Sequence, residues 1–146
     1  MGRPAAQQNV TAYYSDVNAK MYYAEPIAWA TELEVAAGMG GGKFCPEEKV
    51  TREQLACYLY RYQKLALGGD VSASENLQGW SDYSQISSWS KEALAWATAE
   101  GLLVGSGGKL DPKGSATRAQ VASVLMRFDR SIGDAWENEL LGTYFK

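Results

Sequence analysis

Gly42-Lys43-Phe44-Cys45-Pro46, with Thr51-Arg52-Glu53-Gln54 shortly after it, returns later in the chain as Gly108-Lys109-Leu110-Asp111-Pro112 with Thr117-Arg118-Ala119-Gln120. The offset is 66 residues for both pieces, so the spacing between them is preserved along with the residues. Upstream, Ala28-Trp29-Ala30-Thr31 returns as Ala95-Trp96-Ala97-Thr98 at an offset of 67, and Tyr14-Ser15-Asp16 as Trp80-Ser81-Asp82 at 66. Self-similarity on this scale marks a duplicated structural unit, and it sets the fold before any single element does.

The periodicity inside each unit is helical. Leu55, Tyr58, Leu59 and Tyr62 fall at i, i+3, i+4 and i+7, and Val121, Val124, Leu125 and Phe128 repeat the stripe, which predicts one amphipathic helix per unit. Thr51 with Gln54, and Thr117 with Gln120, have the spacing of a capping box: the threonine oxygen takes an orphan amide of the first turn and the glutamine reaches back. Upstream, residues 24–36 and 89–100 are rich in Ala, Leu, Glu and Trp and predict a second helix type, the later one capped by Ser88. Each unit then reads helix, Gly-rich loop, helix. The predicted organisation is all-α, a single domain with repeats at 13–62 and 80–128. A linker occupies 63–79, carrying Gly68-Gly69 and a polar run, and a tail occupies 129–146. In the tail, Gly133 reads as a breaker before a short helix through Leu141 that would pack by Trp136 and Leu140.

Composition excludes several chemistries. The chain contains no histidine, which removes His-based acid–base catalysis, Ser-His-Asp triads and His-ligated metals. Two cysteines, Cys45 and Cys57, are too few for a Cys₄ site and leave one bridge open. A net charge of −3 argues against nucleic acid as a partner, and no apolar run reaches membrane-spanning length. The opening MGRPAAQQNVTAYY lacks a secretory h-region. This leaves two readings: a protein that stays inside the cell, or an export signal that lies upstream. No nucleophile–base pair, metal cluster or cofactor motif is present, and the expectation is a non-enzyme. The two glycine loops, 38–43 and 105–109, do not match a phosphate loop, because Ala37 and Leu103 stand where its first glycine belongs and Phe44 and Leu110 where its Ser or Thr belongs.

Arg52 and Arg118 carry more information. Each stands one residue inside a helix, where the partial positive charge of the N-terminus disfavours a cation by roughly 0.3–1 kcal/mol. The same placement twice points to something anionic near both helix starts. One reading pairs them with Asp16 and Asp82 as internal ties; the other has the guanidinium and the helix amides grip a carboxylate or phosphate. Tyr22 and Trp89 begin the first helices and suit a sugar platform, whereas Trp29 and Trp96, flanked by alanines, suit the core.

Tyr14-x-Asp16, Tyr22, Gly38, Phe44-x-Pro46 and Val50-Thr51-Arg52-x-Gln54, with Trp80-x-Asp82, Trp89, Gly105, Leu110-x-Pro112 and Thr117-Arg118-Ala119-Gln120, resemble the S-layer homology repeat, present twice. The resemblance implies helix-loop-helix repeats in a small bundle that attach exported bacterial proteins, without covalent bonds, to pyruvylated secondary cell-wall polymers. It assigns ligand-groove roles to Arg52 and Arg118, Asp16 and Asp82, Tyr22 and Trp89, and the backbone of Gly38 and Gly105. The departures are two repeats where three are common, Glu34 in place of Gly before Val35, Tyr22 in place of Trp, and Leu110 in place of Phe. With the family's groove lying between neighbouring repeats, a homo-oligomer is one way to complete the set. The competing reading is a protein-binding or inhibitory module on the same scaffold, inside the cell.

Overall fold

The computed structural model describes the backbone of residues 10–144 and their side chains except those of 133 and 135–144. Among the described residues all regular structure is helical: α1 (Ala24–Glu32), α2 (Arg52–Arg61), α3 (Lys91–Ala99) and α4 (Arg118–Tyr144), with short single turns between them and no strand. The described residues group into two compact units, one of 10–49 with 58–71 and the other of 50–57 with 72–144. The first half of α2 therefore belongs with the second repeat's residues.

In the first unit, Val10, Tyr14, Val17, Ala24, Ile27 and Ala28 form the buried cluster, with Tyr23 and Phe44 packed on it. In the second, Leu94, Leu102 and Leu110 are among the most deeply buried side chains, and Trp96 meets Phe128 edge to face at 6.5 Å. Trp96 is a core residue as expected, while Trp29 is only half buried, against Tyr62. Of the second stripe, Val124 and Phe128 are buried but Leu125 is exposed.

Both capping boxes are present. Gln54 N donates to Thr51 Oγ1 at 3.2 Å and Thr51 N to Gln54 Oε1 at 3.0 Å; the Thr117 and Gln120 pair repeats this at 3.1 and 3.2 Å. The C-termini of α1 and α3 are also alike. Val35 N bonds Ala30 O and Glu34 N bonds Thr31 O, as Leu102 N bonds Ala97 O and Gly101 N bonds Thr98 O, the paired bonds of a Schellman motif. Its left-handed residue is Gly101 at φ 68° in one copy and Glu34 at φ 58° in the other. This motif ends α1 four residues short of the expected Ala36. The glycine loops then turn the chain: Gly41 and Gly42, like Gly107 and Gly108, take consecutive positive φ between the Gly40–Lys43 and Ser106–Lys109 bridges, a conformation that glycine adopts at no steric cost.

Two expectations need correction. Ser88 does not cap α3: it opens a single turn Ser88–Ser90, the helix starts at Lys91, and Ser90 spends its hydroxyl on Glu53 and on the Ser87 carbonyl. Gly133 does not break the tail, because α4 runs through it to Tyr144; its cost of about 1 kcal/mol relative to alanine is tolerable in a helix of this length. Cys45 and Cys57, between which one bridge was left open, form no disulfide with each other. The expected packing of Trp136 and Leu140 lies outside the described side chains.

Candidate functional site

Arg52, the first residue of α2, is buried, with its guanidinium turned to the second repeat's glycine loop. Nε donates to the Leu110 carbonyl at 2.9 Å and Nη2 to the Val104 carbonyl at 3.1 Å. The same region takes up the helix's orphan amides: Arg52 N bonds Gly114 O and Glu53 N bonds Pro112 O. With Thr51 N and Gln54 N engaged in the capping box, the amides of this helix start are occupied. The expected grip by helix amides is thus not available, and an anion here has to be met by side chains.

The duplicated aspartates have the same work in both units. Asp82 accepts from Leu110 N at 3.0 Å and Asp111 N at 2.8 Å; Asp16 accepts from Phe44 N at 2.9 Å and Cys45 N at 2.8 Å. Burial works against the Asp82 carboxylate but the two amides outweigh it, leaving its pKa below the ordinary value. For Asp16 the Phe44 amide dominates, and its pKa is lowered too. The aspartates hold their loops by backbone amides, and the guanidinium of Arg52 binds carbonyls, so the reading of Arg–Asp internal ties does not describe Arg52 and Asp82.

Arg52 and Asp82 meet instead across a cleft of about 410 Å³, walled by Gln85, Lys109, Leu110 and Gln120 among others. Gly105 lies between two wall residues, Val104 and Ser106. A Cβ on it would come within 2.2 Å of the Trp80 ring and 2.6 Å of the Lys109 carbonyl, so its place in the loop rests on close packing. Gly38 is bound in the same way by Tyr14 and the Lys43 carbonyl. Trp89 is exposed and does not line the cleft. Its turn is anchored by Glu53, which is 1 % exposed and accepts from Ser87 N, Ser87 Oγ, Ser90 Oγ and Lys113 Nζ. Burial opposes this carboxylate, yet Lys113 and the serines hold its pKa below the ordinary value.

The cleft thus combines Arg52 from the first repeat with Asp82 and the Gly105 loop from the second. Asp16, Tyr22 and Gly38 lie in the first unit, where Tyr22 is 88 % exposed. Arg118 is exposed at the start of α4 and lines no part of this cleft. Sequence reasoning missed Glu53, Lys113, Gln85 and Gln120. For Glu53 a signal existed, since Ala119 stands at its place in the other copy and the duplication breaks there. Among the described residues no His, Cys, Asp and Glu group could hold a metal ion, and no helix is long and apolar enough to cross a membrane.

The family model for the S-layer homology domain matches at 13–56 and 81–122, more than half of the chain. An endoglucanase of Bacillus sp. (strain KSM-635) is 33 % identical over 68 % of the chain, and a surface-layer 125 kDa protein of Lysinibacillus sphaericus is 31 % identical over 78 %. An amylopullulanase of Thermoanaerobacterium thermosulfurigenes is 29 % identical over 77 %. The match takes in 10 % of the first two relatives and 6 % of the third. No solved structure matches the chain.

Proposed function

The chain belongs to the S-layer homology family, and on that premise we propose that it is a non-catalytic module anchoring a protein at the bacterial cell surface through a pyruvylated secondary cell-wall polysaccharide. The observation that carries this reading is Arg52: a buried guanidinium whose bonding partners are carbonyls rather than a carboxylate, opening on a cleft. Its charge is left unneutralised by any direct ion pair among the described residues. A ketal carboxylate is a fixed, planar anion suited to that fork. Asp82 and Gln85 offer acceptors and donors to sugar hydroxyls, with Gly105 letting the loop approach closely. Trp89 supplies an apolar ring for the C–H face of a neighbouring residue. Arg118, Asp16, Tyr22 and Gly38 are the equivalent residues, and they would take ligand where another repeat faces them.

Retention on purified bacterial cell walls tests the reading. The native chain should be retained, Arg52→Ala released by roughly tenfold or more in affinity, and Arg118→Ala retained nearly as well as the native chain. Circular dichroism confirms that the variants are folded. Equal retention of the native chain and Arg52→Ala, or native binding that survives chemical removal of the ketal, would overturn it.

A further inference from the structure

The cleft does not end at Arg52. A second hollow of about 250 Å³ shares Arg52, Val104 and Gln120 with it and is further lined by Leu102, Leu103 and a face of α4. That face presents Gln120, Ser123, Val124 and Arg127, spaced so that they share one side of the helix. Arg127 is half buried and its Nη1 donates to the Leu102 carbonyl at 3.2 Å. Arg52 holds the Val104 carbonyl at 3.1 Å. The two anchoring carbonyls are two residues apart, so they lie within about 7 Å of each other. The segment carrying them is itself fixed, because Leu102 N and Leu103 N both bond the Ala97 carbonyl at the end of α3.

Charge separates the two hollows. The larger one is lined by Arg52 and Lys109 but also by Asp82 and Asp111, so its charges balance. The smaller one is lined by two guanidinium groups and no carboxylate. Two like charges beside a floor of buried Leu102, Leu103 and Val124 are poorly screened, and a single anion between them relieves the repulsion. The first turn of α4 adds the positive end of a helix dipole through Ala119 and Gln120.

We infer that this smaller hollow is the acid-reading subsite of the groove: a carboxylate substituent of the glycan seats between Arg52 and Arg127, while the sugar ring lies in the larger, charge-balanced hollow. Arg127 is then the residue that distinguishes an acidic from a neutral glycan. The inference rests on the proposed binding of an acidic polymer and adds to it the place of the acid and a second cation.

The test is calorimetric titration of the whole chain with two probes, a methyl hexoside carrying a cyclic pyruvate ketal and the same hexoside without it. The native chain should prefer the ketal by roughly tenfold. Arg127→Gln should lose that preference while keeping its weak affinity for the neutral hexoside; Arg127→Lys, which restores the charge, should recover part of it. Arg130→Gln, on the same helix but lining neither hollow, should behave as native. Matching thermal unfolding of Arg127→Gln and the native chain shows that the fold is intact, and Arg127→Lys decides the matter if the glutamine variant does not fold. A ketal preference undiminished in the Arg127 variants overturns this inference and leaves the acidic-polymer reading standing. No preference in the native chain overturns both.

Discussion

At Glu34 a residue with a side chain holds a left-handed conformation that its counterpart, Gly101, adopts freely. The Schellman bonds on either side are the same in both copies, so the backbone has not changed to accommodate the substitution. The strain of an L-residue in this region is roughly 1–2 kcal/mol, partly offset by the greater entropy a glycine loses on folding. Glu34→Gly should therefore stabilise the chain by about 0.5–1 kcal/mol in chemical denaturation. Gly105 has the opposite constraint. Its φ is not positive, but a methyl group would press on the Trp80 ring and a backbone carbonyl, and Gly105→Ala should cost about 1–3 kcal/mol as an overpacked site. The aspartates respond to acid. Asp82 and Asp16 have lowered pKa values in the fold, so between the unfolded and folded values the unfolded chain binds more protons. Their stabilisation is complete above the ordinary carboxylate pKa of about 3.9 and is lost as pH falls through the lower folded values. Asp82→Asn, compared with the native chain in pH-dependent thermal unfolding, should show a shallower loss of stability below pH 4.

Among the elements, the helices were legible in the sequence where local chemistry alone decides them. Thr51 with Gln54 and Thr117 with Gln120 state their own geometry, and the structure reproduces both boxes. Thr117→Ala removes the Oγ1 acceptor from Gln120 N at an exposed start of α4, and should cost about 0.5–2 kcal/mol, read as a lowered unfolding midpoint. What could not be read locally was decided by tertiary partners. Ser88 had the composition of a cap, but the buried carboxylate of Glu53 takes Ser87 and Ser90 and shifts the start of α3 to Lys91. Gly133 had the composition of a breaker, yet one glycine does not outweigh a helix that is propagated from both sides. The duplicated Asp could be recognised but not its role: its spacing of 28 residues from Phe44 or Leu110 becomes meaningful only once the loop folds back onto it.

For the molecule as a whole, the site was half legible for a topological reason. Reading each repeat alone pairs Arg52 with Asp16 and Arg118 with Asp82; the fold pairs Arg52 with the Asp82 loop, so Arg52 lies 30 or more positions in the chain from every other residue of the cleft. Periodicity also hid Arg127, which sits next to Phe128 of the Val121 to Phe128 stripe and belongs to no motif of its own. Charge acts on a different scale from either. The chain carries −3 overall, so an anionic polymer of the proposed kind meets a long-range repulsion that salt screens beyond a Debye length, about 8 Å at physiological ionic strength, and meets Arg52 and Arg127 only on entering the two hollows. These two contributions respond oppositely to salt. Raising ionic strength from 10 to 150 mM relieves the long-range repulsion and should speed association of the isolated chain with soluble wall polymer. The same change weakens the close ion pairs and should speed dissociation as well. Surface plasmon resonance separates the two rates, and an association rate that falls with added salt would show that a basic surface, rather than Arg52 and Arg127, recruits the polymer.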